Sequence, residues 1–158
     1  MLKRRILAAG LAIVVAGVLV GCNKIQSTRD DGSKEYKDGR YYAEADAFDE
    51  TGWKTTVTIE VKDGKIISAD WNAIHKDGGD DKDTLSKNGG YKMVEFGGAQ
   101  AEWHEQAEKV EAYLVEKQDP TAIKYKDDEG HTDAISGASI HVKEFFELAN
   151  IALKDAIK

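Results

Sequence analysis

The sequence predicts an α+β fold in which an antiparallel β-sheet meander packs against helices. Three observations carry that reading. Period-two runs of side chains crowd into the first half, apolar stripes at helical spacing crowd into the second, and an Asp-Gly pair joins two β-rich runs. Tyr41, Ala43, Ala45 and Ala47 alternate with Tyr42, Glu44, Asp46 and Phe48, which reads as a first strand with one wetter face. Thr55 to Lys62 places Val57, Ile59 and Val61 on one face. Asp63-Gly64 then leads into Lys65 to His75, and such a pair favours a tight hairpin because both turn positions want positive φ.

Asp77 to Gly90, DGGDDKDTLSKNGG, reads as a polar solvated loop. Its acids do not make a calcium loop: counted from Asp77, the sixth and twelfth places hold Lys82 and Asn88 where Gly and Glu are required. Tyr91 to Phe96 is a short helix by expectation, and Gln100 to Lys117 a longer one. Trp103, Ala107, Val110 and Leu114 form the apolar stripe of the longer helix, and Asp119-Pro120 stops it. A C-terminal helix follows from Val142, Phe145, Phe146, Ala149, Ala152, Leu153, Ala156 and Ile157.

The N-terminal residues read MLKRRILAAGLAIVVAGVLVGC. Lys3, Arg4 and Arg5 precede an uncharged run of 15 residues, Ile6 to Val20. About 20 apolar residues are needed to span a bilayer, so the run has the length of a signal-peptide core. It ends in Leu19-Val20-Gly21-Cys22, which is similar to a bacterial lipoprotein signal, with Cys22 as the lipidated residue. Residues 1–21 are thus expected to be a signal peptide, 22–38 a lipid-anchored flexible linker and 39–158 one domain. Cys22 is the single Cys, so none remains for disulfides or thiol chemistry. Without residues 1–21, which carry three of the 22 Lys and Arg and no acid, 19 cations stand against 29 Asp and Glu, a formal charge of −10. That charge argues against nucleic acid as a partner. It suits a domain tethered at the extracytoplasmic face of the cell membrane.

The segment HTDAISGASIHV, His131 to Val142, leads into the last helix. Two readings are open. Ser139 or Ser136 is an ordinary helix N-cap, with Gly137 supplying the turn. Alternatively, a Ser hydroxyl there carries a phosphate-bearing group, since a helix start favours an anion and Gly137 and Ala138 leave the approach clear. His75, His104, His131 and His141 are scattered, with no pair at metal-ligand spacing, and no metal is expected. His104 reads as structural or surface, and His141 as exposed on the helix's first turn.

Asp133-Ala134-Ile135-Ser136-Gly137-Ala138-Ser139 resembles the flavinylation motif of FMN-binding domains, D-x-x-(S/T)-G-A-(T/S). The family includes the covalent-FMN subunits of sodium-pumping quinone reductases and Rnf complexes, and surface lipoproteins of extracellular electron transfer. The order of other landmarks agrees: Asp38-Gly39-Arg40-Tyr41, then Val61 to Ile66, then Leu114 to Pro120 ahead of the motif. The resemblance implies that an FAD:protein FMN transferase attaches FMN to Ser139 as a phosphodiester. Asp133 is then the motif's acid, and Ser136, Gly137 and Ala138 form its turn. The family most often has Thr where this chain has Ser139, and Ser lacks the methyl that restricts χ1.

The resemblance further implies an electron carrier rather than a self-contained enzyme. A membrane quinol-linked donor would pass electrons through FMN to an external acceptor. Trp71, Tyr91, Met93 and Trp103 are candidates for flavin contact, with Lys92 beside Met93, although each aromatic also suits the core. The alternative is a non-redox surface lipoprotein, a ligand-binding module or antigen in which Ser139 only caps a helix.

Overall fold

The computed structural model describes residues 34–158. Cys22, the expected signal peptide and the linker up to residue 33 lie outside the described residues. Strands β1 (Gly39–Glu44), β2 (Trp53–Lys62) and β3 (Lys65–His75) form one antiparallel sheet in the order β1-β2-β3. Asp63 and Gly64 turn β2 into β3 with φ of 52° and 77°, the left-handed conformations that a two-residue hairpin demands. A bulge interrupts the pairing: Glu60 faces Ser68, but Val61 faces Ile66, so β3 carries one extra residue. The slip switches which isoleucine points inward. Ile66 is 2% exposed and Ile67 is 50% exposed, the reverse of what unbroken alternation from Trp71 would give.

Helices α1 (Lys82–Lys87), α2 (Met93–Gly97), α3 (Trp103–Lys117) and α4 (Lys143–Ala152) complete the fold. The inward face of the sheet presents Ala43, Val57, Ile59, Val61, Ile66, Trp71 and Ala73. α3 packs on β3, and α4 packs on β2 and β1. The stripe expected on α3, Trp103, Ala107, Val110 and Leu114, is buried, and Gln118 ends the helix in the left-handed conformation just before Asp119-Pro120. Phe145, Phe146 and Ala149 of α4 lie in the same core with Val142, Leu153 and Ala156. The α+β reading therefore holds.

Helix α3 starts at Trp103 rather than Gln100, β2 at Trp53 rather than Thr55, and α2 spans Met93–Gly97 rather than Tyr91–Phe96; four further differences have an evident physical cause. The first strand stops at Glu44, because Asp49 takes over the next turn; its carboxylate accepts from the N–H groups of Thr51 and Trp53 at 2.8 and 2.9 Å. The polar loop 77–90 contains α1, capped by Asp81, whose side chain accepts from Thr84 N–H at 2.8 Å. The last helix ends at Ala152 rather than reaching Ile157. Beyond it the backbone leaves to pair with an incoming segment: Lys37 N–H donates to Ala156 O, and Lys158 N–H donates to Glu35 O. That segment overturns the linker boundary at Asp38. Tyr36 is 1% exposed, bridges Ile157 and donates its hydroxyl to Gln118 O at 3.0 Å. Its burial, with the charge of Asp119, pushes the phenol up to about 12.

Candidate functional site

The segment before α4 is held at both ends and open in the middle. Thr132 is buried; its hydroxyl donates to Lys124 O at 2.8 Å and accepts from Ala134 N–H at 3.0 Å. Ile135 drops into the core. Ala138 N–H then reaches back to Ile135 O, closing a turn in which Gly137 adopts φ +79°. A non-glycine residue there would be strained, and its Cβ would run into the Lys109 ammonium.

The turn delivers Ser139 to α3. Ser139 N–H and Ser139 Oγ donate to the same acceptor, Gln106 Oε1, at 2.7 and 3.1 Å. Gln106 is 1% exposed, and its amide nitrogen donates to Ala101 O at 2.9 Å. One buried amide thus ties the Ser139 turn to the loop preceding α3. That loop is shaped from the other side by Glu102, which accepts from Met93 and Val94 N–H at 2.8 and 3.1 Å. Between turn and loop lies a cleft of about 390 Å³, lined by Gly98, Ala99, Gln100, Ala101 and Gln106 opposite Gly137, Ala138 and Ser139. Pockets for small ligands run from about 300 to 1,000 Å³.

Ser139 is not a helix cap. α4 starts at Lys143, its N-cap is Val142, and no side chain caps it. Nor does Ser136 cap it; Ser136 lies on the exposed part of the turn. His141 is exposed as expected, but ahead of the helix rather than on its first turn. With Ser139 engaged by Gln106 and facing the cleft, the premise of the cap-only alternative fails.

The other expected site residues divide. Gly137 and Ala138 line the cleft with Ser139, whereas Asp133 and Ser136 are not among its lining residues. Asp133 is turned to solvent and pairs with Lys126 at 3.4 Å. None of Trp71, Tyr91, Met93 and Trp103 lines the cleft either. Trp71 and Trp103 are core, edge to face at 5.5 Å, with Phe145 against Trp71 at 5.1 Å. Tyr91 packs edge-on to Trp53, and the Lys82 ammonium lies over the rings of Tyr91, Trp103 and Trp53 at 5.0, 5.1 and 5.6 Å. Burial draws the Lys82 amine below its ordinary range, against the opposing pull of Asp49 and Glu144. Met93 is half-buried against the core, and Lys92 pairs with Glu95. His104 is structural: Ser86 Oγ lies 2.8 Å from its Nδ1 and accepts its backbone N–H, joining α1 to α3.

Two further charged groups lie on α3, one beside the turn and one against β3. Lys109 Nζ sits 3.4 Å from Gly137 O, next to the turn. Glu111 accepts the Trp71 N–H at 2.7 Å and is pushed up to about 7, chiefly by burial and further by the nearby acids, against that hydrogen bond. Sequence reasoning missed Gln106, Lys109 and the 98–101 loop. The one available signal was a glutamine at the edge of an otherwise apolar stripe, one residue before Ala107. The described residues also bring together two histidines that lie ten positions apart in the sequence, His131 and His141, with ring centroids 4.3 Å apart.

A cleft beside an accessible hydroxyl, with a lysine at the adjoining turn, has the size and charge to receive a small anionic ligand. Residues 52–154 match the FMN-binding domain family, and the chain belongs to it. A solution NMR structure of a protein from Clostridium thermocellum is similar at 84% identity, covering 75% of this chain and 91% of that one, with a TM-score of 0.59. A crystal structure of a protein from Clostridium perfringens is similar at 30% identity, covering 77% and 88%, also with a TM-score of 0.59. No curated protein matches. FMN is accordingly the cofactor, and the site suits it. Its cleft has the volume of a small-ligand pocket, its turn needs glycine at φ +79°, and Lys109 supplies positive charge beside that turn.

Proposed function

We propose that this chain is a lipid-anchored extracytoplasmic flavoprotein that carries FMN covalently on Ser139 and relays electrons between a membrane quinol-linked donor and an external acceptor. The observation that carries the reading is the posture of Ser139. Its hydroxyl proton is directed at Gln106 Oε1, so the remaining lone pairs of Oγ are free for the cleft side. Ser139 is exposed, so a transferase has access to it. Attachment by an FAD:protein FMN transferase joins Ser139 Oγ to the FMN phosphorus of FAD. The pyrophosphate bond breaks, AMP leaves, and the hydroxyl proton passes to a base supplied by the transferase or solvent.

Gln106 has a second part in this account. Ser lacks the methyl group that stiffens χ1 in Thr. A single acceptor that takes both the backbone N–H and the hydroxyl of residue 139 restores that constraint. Gly137 keeps the approach open, and Lys109 offsets the negative charge of the incoming phosphate. Bound FMN supplies the redox chemistry; the chain supplies position, charge and shielding. The lipid anchor rests on the Cys22 signal and on the polar stretch that follows it. Retention is the gain of covalent attachment, because a soluble cofactor would diffuse away from a carrier outside the membrane.

Intact mass decides the proposal. The chain from residue 23 onward, treated with an FAD:protein FMN transferase and FAD, is expected to gain the mass of one FMN residue. Ser139→Ala is expected to gain nothing. A gain that persists in Ser139→Ala, or no gain when the transferase is active on a control substrate, refutes covalent attachment at this residue.

A further inference from the structure

Outside the cleft, Glu129, His131 and His141 form a compact cluster of metal-ligating side chains. Each offers one ligand atom such that all three atoms lie within 4.8 Å of one another. Glu129 Oε2 stands 3.9 Å from His131 Nδ1 and 3.7 Å from His141 Nε2. In a tetrahedral site with metal–ligand bonds of about 2.0–2.1 Å, neighbouring ligands stand about 3.4 Å apart. The Glu129 and His141 side chains are 73% and 61% exposed, so both are free to swing from the Nδ1 edge of the His131 ring towards Nε2 and close the cluster around an ion.

The backbone holds the two histidines together although ten residues separate them. Val142 N–H donates to Gly130 O at 2.9 Å, and Lys126 N–H donates to His131 O at 2.7 Å. Gly130 adopts φ +92°, and a Cβ there would collide with Lys143 Cβ, so this crossing requires glycine. Asp127 sets the local turn: one carboxylate oxygen accepts from Gly130 and His131 N–H at 2.9 and 3.0 Å. Its other oxygen lies 2.7 Å from His131 Nδ1. A carboxylate in that place selects the tautomer with the proton on Nδ1 and leaves Nε2 as a lone-pair donor, the usual arrangement behind a metal-bound imidazole.

The geometry points to a binding site for a borderline divalent transition ion, with Zn²⁺ as the representative, held by Glu129, His131 and His141 and oriented by Asp127. Two imidazoles and one carboxylate suit such an ion better than Mg²⁺ or Ca²⁺, which favour all-oxygen sets. The side chains are partly or largely open to solvent, so water completes the coordination. A formal charge of −7 on the chain favours any cation. His131 and His141 also bracket the turn that bears Ser139, so a bound ion would clip the two ends of that segment together.

The test uses the purified protein without flavin, so its outcome is independent of the attachment chemistry. ZnCl₂ is titrated by calorimetry in a non-coordinating buffer and, in parallel, followed by amide NMR. Saturable binding of one ion is expected, with shifts confined to residues around 127–143 and no comparable effect of MgCl₂. His141→Ala and Glu129→Gln are expected to weaken binding at least tenfold, and Asp127→Asn by about 10- to 100-fold through loss of the ring-orienting contact. Amide exchange across residues 132–140 is expected to slow on zinc addition. The site is refuted by no saturable binding, by equal affinity in the His131→Ala/His141→Ala double variant, or by shifts elsewhere. Unchanged exchange with zinc bound overturns the clip. Both histidines lie on the surface, and His141→Gln provides a second, polar replacement should the Ala variant misfold.

Discussion

Replacing Gln106 by Leu tests the positioning of Ser139 most directly. The side chain is 1% exposed and of similar size to Leu, so the change removes hydrogen bonds with little change in packing volume. Three bonds disappear: those from Ser139 N–H and Oγ, and that to Ala101 O. Each is worth about 0.5–1.5 kcal/mol net. Ser139 is exposed, so its two donors recover water. The net cost expected is about 1–2 kcal/mol, which for a urea slope of about 2 kcal/mol/M lowers the midpoint by about 0.5–1 M. The effect on FMN transfer is separable. Freeing χ1 among three staggered wells dilutes the reactive rotamer by about threefold at most, and the loosened loop adds to that, so the transfer rate should fall by about 3- to 10-fold. Urea denaturation at constant slope and a mass-resolved time course measure the two. An unchanged midpoint together with an unchanged transfer rate would refute the assignment of Gln106 as the group that orients Ser139.

Glu111 gives a pH signature. Its folded value of about 7 lies above the ordinary 4.5, so the folded state holds its proton longer than the unfolded chain. The associated stability is complete below pH 4.5, falls as pH rises towards 7, and is flat above. The separation corresponds to an upper bound of about 3.4 kcal/mol; with the side chain partly open to water, about 1–2 kcal/mol is expected. Glu111→Gln should remove that fall, and denaturation at pH 4.5 and pH 8 measures it; an identical fall in variant and wild type would refute the argument. Tyr36 tests the domain boundary. Tyr36→Ala should cost about 3–5 kcal/mol, the range for losing a buried aromatic, whereas a linker residue would cost almost nothing in the same denaturation assay.

The parts of this fold that repeat locally were legible in the sequence. Alternation in β2 and β3, the Asp63-Gly64 hairpin and the Trp103–Leu114 stripe depend on neighbours a few positions away, and a period is visible wherever one face must be dry. The bulge at Val61 and the short helix α1 were not legible. One extra residue in a strand changes no composition, and Lys82–Lys87 is too short to show a stripe, being set by the Asp81 cap. Tyr36 looked like linker because its partners, Gln118 and Ile157, are more than 80 residues away.

The site divides in the same way. The Asp133–Ser139 motif and the gap left by Gly137 and Ala138 are written in consecutive residues, so the sequence by itself carries the resemblance on which the proposed attachment at Ser139 rests. It did not determine what holds the acceptor. Gln106 meets Ser139 across 33 residues, Trp71, Tyr91 and Trp103 turn out to serve the core and Lys82, and His131 meets His141 only because Gly130 lets two backbones cross. Tertiary structure decided these, because hydrogen-bond partners and ligand sets are chosen by distance in space, and chain order carries that distance only within a turn or a strand pair.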